Sequence, residues 1–356
     1  TEIYTLSLHD ALPIFLMSET MLAAVFEGVG KLTLKDVPVP KITRPDQVKI
    51  EVEAVGICGT DVHIVSVPPG YIATPNTILG HEYVGRIVEV GGSVTHIQVG
   101  DRVVVNPNDY CGVCYYCQNH LPNLCEHVGA IGIDLDGAFC KYNVVSSKLA
   151  FKVDESVPVD HGAFAEMLAD VVNGTNKVKL QPGESAAIIG AGPIGQLYAQ
   201  MFKAAGAGKI IIVDMSPYRL DYTRKMGFDL VVDPSKQDLK QFVLNHTGIG
   251  VDVAVDAAGS GLATAIDITR KGGKVAVFGV NTQATATFPQ SQLTFKELQV
   301  LGAWLANATF PAAVKVLESR VLDLDGLISH SIPLTEIHKG LELLANRQAL
   351  KIVVHP

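Results

Sequence analysis

The chain has no long apolar run, no basic cluster and no internal repeat, and each absence excludes a class of protein. No apolar stretch approaches the roughly 20 residues that a membrane-spanning helix needs, so we expect no membrane partner. The 28 Lys and Arg residues are outnumbered by 36 Asp and Glu and are scattered, which argues against a nucleic-acid partner. What remains, 48% apolar and 18% charged residues over 356 positions, is typical of a globular enzyme with two domain-sized cores.

The first residues also lack the features of a targeting signal. The stretch TEIYTLSLHDALPIFLM has no basic amino-terminal region and no small-residue cleavage site. Residues 1–14 resemble the in-frame translation of a sequencing adapter, so we predict that residues 1–16 are an artefactual or disordered tail outside the fold, which would start at Met17 or Met21. Nothing indicates secretion, and a reducing cytoplasm is therefore the expected location.

Cysteine is scarce, yet four of the six cysteines fall within fifteen residues, with the spacing C-x2-C-x2-C-x7-C. They are too close for two easy disulfides, whereas a compact loop can direct all four sulfurs at one point. We predict a tetrahedral structural zinc site formed by Cys111, Cys114, Cys117 and Cys125, which leaves no position for substrate and orders the surrounding lobe. An iron–sulfur cluster is the alternative.

A second possible metal site comes earlier in the chain. The segment AVGICGTDVHI supplies Cys58 and the segment ILGHEYVG supplies His81, each beside a glycine that can turn the chain. A thiolate and an imidazole suit a catalytic zinc, which needs a third protein ligand and an open fourth position. Glu82 follows His81 directly, and since adjacent residues cannot readily reach one ion, we expect it just outside the ligand shell, orienting His81 or visiting the metal.

From Ser185 onwards the pattern reads strand, glycine turn, helix, strand. An apolar run leads into the segment GAGPIG, a helical stretch follows, and a second apolar run ends at Asp214. This context is the dinucleotide-binding fingerprint, in which glycines allow a tight turn, backbone approach to a pyrophosphate and close helix packing. The predicted cofactor-binding residues of the turn are Gly190, Gly192, Pro193, Ile194 and Gly195.

Asp214 bears on the choice of cofactor. A carboxylate at the end of the second strand accepts hydrogen bonds from the adenosine ribose and repels a 2′-phosphate, which favours NAD over NADP. Arg219 lies within reach of the same region and leaves NADP as the less favoured alternative.

Six apolar segments alternate with helical ones between residues 185 and 304, which predicts a doubly wound parallel sheet of the Rossmann type. Because the metal motifs precede this sheet and the chain continues past it, we predict a discontinuous catalytic domain at residues 17–168 and 305–356. The nucleotide domain would occupy residues 169–304, and the active site would lie in the cleft between the two.

The order CGTDVH, GHE, four-cysteine lobe and GAGPIG resembles the zinc-containing medium-chain dehydrogenase/reductase (alcohol dehydrogenase) family, in particular its sorbitol/polyol and threonine dehydrogenase branch. The resemblance covers essentially everything from Met21 to Pro356. It implies an α/β protein with a GroES-like, mostly β catalytic domain beside the Rossmann domain, and a homodimer or homotetramer.

The resemblance also assigns residues. In this branch the third zinc ligand is a glutamate, and the segment GAFAEML aligns Glu166 with it, although Met167 replaces the family's proline. Thr60 and His63 match the family's proton relay, and the backbone near Val280 would meet the nicotinamide. Cys140 matches an apolar interior position.

The expected activity is therefore zinc-dependent transfer of hydride between NAD and a secondary alcohol or polyol, with two zinc ions per chain. A threonine-type amino-alcohol dehydrogenase is one alternative, and it would need an extra carboxylate or cation in the pocket. Two alternatives of other classes are a non-catalytic cofactor-binding scaffold and a zinc-dependent nucleic-acid module, the latter disfavoured by the acidic composition.

Overall fold

The computed structural model describes residues 19–356, so the predicted tail at residues 1–16 lies outside the described residues. The strands are β1 (Thr20–Gly28), β2 (Lys31–Pro38), β3 (Gln47–Gly56), β4 (Thr77–Ile78), β5 (Glu82–Val90), β6 (Arg102–Val105), β7 (Asn108–Asp109), β8 (Gly129–Ala130), β9 (Tyr142–Ser146), β10 (Ala150–Lys152), β11 (Ser185–Ile189), β12 (Lys209–Val213), β13 (Val231–Val232), β14 (Val251–Asp256), β15 (Thr269–Val277), β16 (Gln299–Gly302), β17 (Ile328–Pro333) and β18 (Lys351–His355). The α-helices are α1 (Gly59–Val65), α2 (Tyr115–Gln118), α3 (Val159–Gly162), α4 (Ala165–Val178), α5 (Pro193–Ala204), α6 (Pro217–Lys225), α7 (Leu239–Thr247), α8 (Leu262–Ile268), α9 (Ser291–Lys296), α10 (Phe310–Ser319) and α11 (Ile337–Ala345). None of these helices combines the length and the apolarity needed to cross a bilayer.

The metal motifs belong to a mixed, largely antiparallel sheet with the strand order β10-β6-β5-β3-β18-β17, in which β9 also pairs with β3. Strand β3 reads QVKIEVEAVG and buries alternate residues, as expected where one face of a strand packs on a core. The late strand β18 pairs with β3 in antiparallel register, with Val353 opposite Gly56. This sheet is therefore completed by a segment nearly 300 residues further along the chain than β3.

The second large sheet has the order β13-β12-β11-β14-β15-β16, and every neighbouring pair in it is parallel. Its central strands are continuous apolar runs because helices cover both faces. Strands β11, β12 and β13 follow one another towards one edge of the sheet, and β14, β15 and β16 follow one another towards the opposite edge. The strand order therefore reverses between β11 and β14, and dinucleotides bind in the crevice at such a switch point. The six strands are those predicted from the sequence, and the predicted fold class is confirmed.

Helix α4 joins the two sheets. Its apolar residues Leu168 and Val171 belong to one buried cluster that includes Val84 of β5 and Ile188 of β11. The predicted junction between residues 168 and 169 falls inside this helix, so the chain passes from one sheet to the other along a continuous helix. The domain bounds themselves remain a prediction.

Candidate active site and metal centres

The four clustered cysteines meet at one point of the lobe that contains α2. Their sulfur atoms all lie within 4.8 Å of one another, and all six cysteines of the chain are free thiols. The sulfur of Cys125 lies 3.5 Å from that of Cys111 and 3.9 Å from that of Cys114. Four thiolates around one zinc at about 2.3 Å stand roughly 3.8 Å apart in a tetrahedron, so this group fits a single ion.

Backbone N–H groups of the same loop point at these sulfurs. Cys111 Sγ accepts from the amides of Val113 and Cys114, at 3.5 and 3.4 Å. Such hydrogen bonds favour the thiolate form, and those from the amides of Cys117 and Glu126 lower the pKa of Cys114 to about 6. Burial raises the pKa of Cys117 to about 12, and a bound cation would reverse that effect.

The second group lies where α1 begins and where β5 begins. Cys58 caps the amino terminus of α1, and its amide donates to Asp61 Oδ2 at 2.9 Å. Gly80 adopts a φ of +93°, and a Cβ there would lie 2.9 Å from the backbone of Phe139, so the turn that brings His81 inward requires glycine. A ligand atom of each of Cys58, His81 and Glu82 lies within 4.8 Å of the others.

The second group has the electrostatics of a cation site. Burial raises the pKa of the Cys58 thiol well above its ordinary value, and the charges of Glu82 and Asp61 raise it further. Burial also raises the pKa of Asp61 to about 6. The pKa of Glu166 is raised well above its ordinary value by burial and then by Asp170. Acidic groups gathered in a buried space favour a divalent cation, which would return each of them to its charged form.

Several polar atoms of this group have no partner among the described residues. Glu82 Oε1 and His81 Nδ1 are buried and unpaired, and His81 Nδ1 lies 3.7 Å from Asp61 Oδ1. A proton on Nδ1 directed at Asp61 leaves Nε2 with its lone pair for a metal. The donor set of sulfur, imidazole and carboxylate, with unpaired buried atoms, therefore fits zinc.

Two glutamates compete for the place of third ligand. Glu82, predicted just outside the ligand shell, belongs to the group with Cys58 and His81, whereas the described position of Glu166 does not place it there. Glu82 is also paired with Lys351, and both side chains are 1% exposed or less. Glu166 is buried in the first turn of α4. Burial lowers the pKa of His81, but the charges of Asp61 and Glu166 raise it above its ordinary value, so Glu166 lies near His81.

The two predicted relay residues lie on α1. Thr60 is half-buried and His63 is exposed, one turn further along the helix. The arrangement of a partly buried hydroxyl followed by an exposed imidazole suits transfer of a proton from a cleft to solvent, and the assignment stays a prediction.

The glycine turn between β11 and α5 has the geometry of a phosphate-binding loop. A Cβ on Gly195 would lie 1.8 Å from the carbonyl oxygen of Gly190, so close packing of helix and strand requires glycine. A Cβ on Gly192 would meet nothing nearer than the guanidinium of Arg219 at 3.6 Å, which leaves the loop open to a ligand. Pro193 and Ile194 form the first turn of α5, whose free amides suit a pyrophosphate.

Asp214 follows β12 and is held in place by two amides. Its Oδ2 accepts from Ala191 at 2.8 Å and its Oδ1 from Ser216 at 2.8 Å. Arg219 lies 3.9 Å from Asp214 Oδ2. The carboxylate and the guanidinium thus both lie beside the glycine turn, and their roles in cofactor binding stay a prediction.

A cavity of about 650 Å³ opens between the nucleotide sheet and the cysteine lobe. Val280 and Gly302 line it from the sheet side, Asn123 from the lobe and Lys177 from α4. Asn123 Nδ2 donates to the carbonyl of Trp304 at 2.8 Å. The lobe therefore forms one wall of the cavity, a position that the sequence did not indicate.

Sequence reasoning assigned no role to three further residues of the site. Asp61 faces His81, Lys351 neutralises Glu82, and Asp170 lies one turn beyond Glu166 in α4. The lone lysine of the apolar segment ALKIVVH and the second acidic residue of the segment AEMLADVV are the signals that could have marked the latter two.

Comparison with known proteins agrees with this geometry. The family model of the alcohol dehydrogenase GroES-like domain matches residues 44–155, and that of the zinc-binding dehydrogenases matches residues 193–319. The sorbitol dehydrogenase of Bacillus subtilis is 33% identical over 95% of this chain and 98% of its own length. The L-threonine 3-dehydrogenase of Caldanaerobacter subterraneus is 33% identical over 89% of this chain and 93% of its own.

A zinc-binding dehydrogenase of Sinorhizobium meliloti, solved with NADP bound, superimposes with a TM-score of 0.90 at 32% identity, covering 95% of this chain and 100% of that one. The fold and these relatives define a two-domain oxidoreductase that combines a GroES-like domain with a nucleotide-binding sheet. The chain belongs to the zinc-containing medium-chain dehydrogenase/reductase family, which confirms the predicted family and its class of enzyme, an alcohol and polyol dehydrogenase.

Proposed function

We propose that the protein oxidises a secondary alcohol or polyol to a ketone, reversibly, with a nicotinamide cofactor and zinc. The observation that carries this proposal is the position of α4. Its first turn holds Glu166, whose charge acts on the pKa values of Cys58 and His81 after burial has done so, and its last turn places Lys177 in the wall of the cofactor-sized cavity. A substrate between these ends would contact the metal site and the nicotinamide site at once.

Zinc bound there supplies the Lewis acidity that lowers the pKa of an alcohol hydroxyl, and the nicotinamide supplies the hydride acceptor. Cys58 and His81 would hold the ion, and Asp61 would keep the proton of His81 on Nδ1. Thr60 would accept the proton of the alcohol while releasing its own hydroxyl proton through the cofactor ribose to His63, which would pass it to solvent. The cysteine lobe holds its own zinc, because sulfurs this close together surround one ion more readily than they span the several irons of a cluster.

We infer that Glu166 completes the catalytic ligand set when zinc is present. Lys351 already neutralises Glu82, whereas Glu166 has no counter-ion of its own among the described residues. The alternative is that the unpaired Oε1 of Glu82 takes the position.

NAD is the proposed cofactor. The Asp214 carboxylate, fixed by two amides beside the glycine turn, disfavours the 2′-phosphate of NADP by charge repulsion. Arg219 partly offsets that repulsion, so a measurable activity with NADP is expected at lower efficiency.

A homodimer or homotetramer is also proposed. The edge strand β16 leaves Val300 38% exposed, and Phe295 of the neighbouring helix α9 is 77% exposed. An apolar sheet edge of this kind is suited to pairing with a second copy. Six free thiols fit a cytoplasmic location.

The proposed activity is tested with zinc-loaded protein, a panel of secondary alcohols, polyols and L-threonine, and NAD or NADP, by following the absorbance of the reduced nicotinamide. Turnover of polyols with NAD supports the proposal, and a preference for threonine would support the amino-alcohol alternative. Cofactor binding without turnover of any alcohol would favour the scaffold.

Parallel Glu166→Gln and Glu82→Gln variants test the third ligand, with zinc content measured by elemental analysis. Glu166→Gln should lose one of two zinc ions and most turnover while still binding NAD, because the cofactor site is separate. Retention of both zinc ions in Glu166→Gln, with loss in Glu82→Gln, would reverse the assignment.

A further inference from the structure

Asp170 lies on the polar face of α4, one turn beyond Glu166 towards the end of the helix where Lys177 lines the cofactor cavity. The face consists of Glu166, Asp170, Asn173 and Lys177, whose spacing of four, three and four residues aligns them along the helix. At about 1.5 Å per residue, Asp170 stands roughly 6 Å beyond Glu166 along the axis, and Lys177 roughly 16 Å beyond it.

Asp170 is the member of this face with a fully buried side-chain oxygen that has no hydrogen-bond partner among the described residues. Asn173 Nδ2 donates to the carbonyl of Leu305 at 2.7 Å, and Lys177 Nζ donates to the carbonyl of Gly302 at 2.6 Å. Asp170 Oδ1 has no partner in the described part of the chain, and the residue is 8% exposed. A buried carboxylate without a donor is unfavourable, so its presence in an apolar helix segment calls for a ligand.

A further unpaired polar group of the described residues near Asp170 is the hydroxyl of Tyr198. That hydroxyl is buried without a partner, and the charge of Asp170 raises the pKa of Tyr198 further after burial has raised it. The two side chains therefore lie close, yet they do not bond to each other. Tyr198→Phe provides a control that removes the hydroxyl and keeps the ring.

We propose that Asp170 selects the substrate by accepting a hydrogen bond from a second polar donor on the carbon next to the reacting alcohol. The inference rests on the proposed dehydrogenase activity. The reacting carbon must lie between the metal at the Glu166 end and the nicotinamide at the Lys177 end, and Asp170 stands between these two residues along α4. Burial raises the pKa of Asp170, the charge of His81 lowers it and that of Glu82 raises it, so its carboxyl group also lies near the metal site. Asp170 supplies the extra pocket carboxylate that an amino-alcohol substrate would need. The same carboxylate can equally accept a hydrogen bond from the hydroxyl next to the reacting carbon of a polyol.

Three alcohols with one carbon skeleton test the proposal: 2-butanol, 2,3-butanediol and 3-amino-2-butanol, which carry a hydrogen, a hydroxyl or an ammonium beside the reacting carbon. In the zinc-loaded wild type, kcat/KM should favour one or both substituted alcohols over 2-butanol. Asp170→Ala should reduce that preference by roughly 5- to 100-fold, the usual range for a lost buried hydrogen bond. Tyr198→Phe should leave the preference within about twofold, because that hydroxyl has no partner to lose.

Asp170→Asn separates the two donors. Its amide oxygen still accepts from a hydroxyl but no longer carries charge, so a diol preference should largely survive and an amino-alcohol preference should fall as far as in Asp170→Ala. Calorimetric titration of 2,3-butanediol into zinc-loaded protein saturated with NADH, which cannot accept hydride, gives the same comparison without turnover.

Two results overturn the proposal while leaving the dehydrogenase activity intact. One is an unchanged ratio among the three alcohols in Asp170→Ala. The other is an equal rise in KM for NAD with all three, which would make Asp170 a cofactor contact. If the wild type oxidises none of the alcohols tested, including the wider panel, the proposed function itself fails.

Discussion

Replacing Lys351 with methionine removes the counter-ion of Glu82, a fully buried carboxylate near the metal site. Glu82 is 0% exposed and Lys351 is 1% exposed, and the ammonium also donates to the carbonyl of Ile57 at 3.2 Å. Methionine matches the four-atom apolar stem of lysine and lacks only the ammonium, so packing changes little while Glu82 is left with an unpaired charge. Breaking a buried pair in this way costs about 3–5 kcal/mol.

The assay is urea unfolding of the wild type, Lys351→Met, Glu82→Gln and the double variant, each with and without zinc. The double variant should be closer to wild type than Lys351→Met is, because replacing both partners leaves no isolated charge. The loss in Lys351→Met should be larger without zinc, since zinc can neutralise Glu82. A loss below about 1 kcal/mol in the metal-free protein would refute a buried charge pair at this position.

Three further outcomes are expected. Cys114→Ser should hold one zinc fewer by elemental analysis and unfold at a lower temperature than wild type, because structural zinc contributes directly to folding; full zinc content with an unchanged Tm would contradict the structural role. Gly174→Ala should destabilise by about 1–3 kcal/mol in urea, since its Cβ would lie 1.6 Å from the Tyr198 hydroxyl, and adding Tyr198→Phe should recover most of that loss; no recovery would place the strain elsewhere. Burial raises the pKa of Asp252, but hydrogen bonds led by those from Ser185 outweigh it and hold the pKa below its ordinary value. A lowered carboxyl pKa stabilises the fold above the unfolded pKa of about 3.9, so Asp252→Asn should cost about 1–2 kcal/mol at neutral pH and nothing once the pH falls below the folded pKa; a pH-independent difference would contradict this.

The parts of the fold that follow local rules could be predicted from the sequence. Six apolar segments with helical spacers define a parallel sheet because each strand is buried on both faces, and GAGPIG between strand and helix defines the turn. The cysteine spacing likewise requires sulfurs that converge, and they do so within 4.8 Å.

What could not be predicted depends on contacts between distant segments. The pairing of Lys351 with Glu82 joins residues 269 positions apart, and no local pattern encodes it. The interior position of Asp170 depends on how α4 sits between two sheets, and the place of Asn123 in the cavity wall depends on how the lobe folds back. Side-chain direction, which decides between Glu82 and Glu166, is likewise set by packing rather than by spacing.

The order of strands in the mixed sheet has a consequence for how the protein is made. Strand β18 lies between β3 and the edge strand β17, so β3 lacks one neighbour and β17 has no partner in the sheet until β18 has left the ribosome. The nucleotide sheet is complete by β16 and can form earlier during synthesis, as domains made first generally fold first. The metal site gains Lys351 only with β18. A chain stalled in translation would thus carry a complete nucleotide sheet beside an incomplete mixed sheet with unpaired strand edges. Chaperones should bind the stalled chain at those exposed edges.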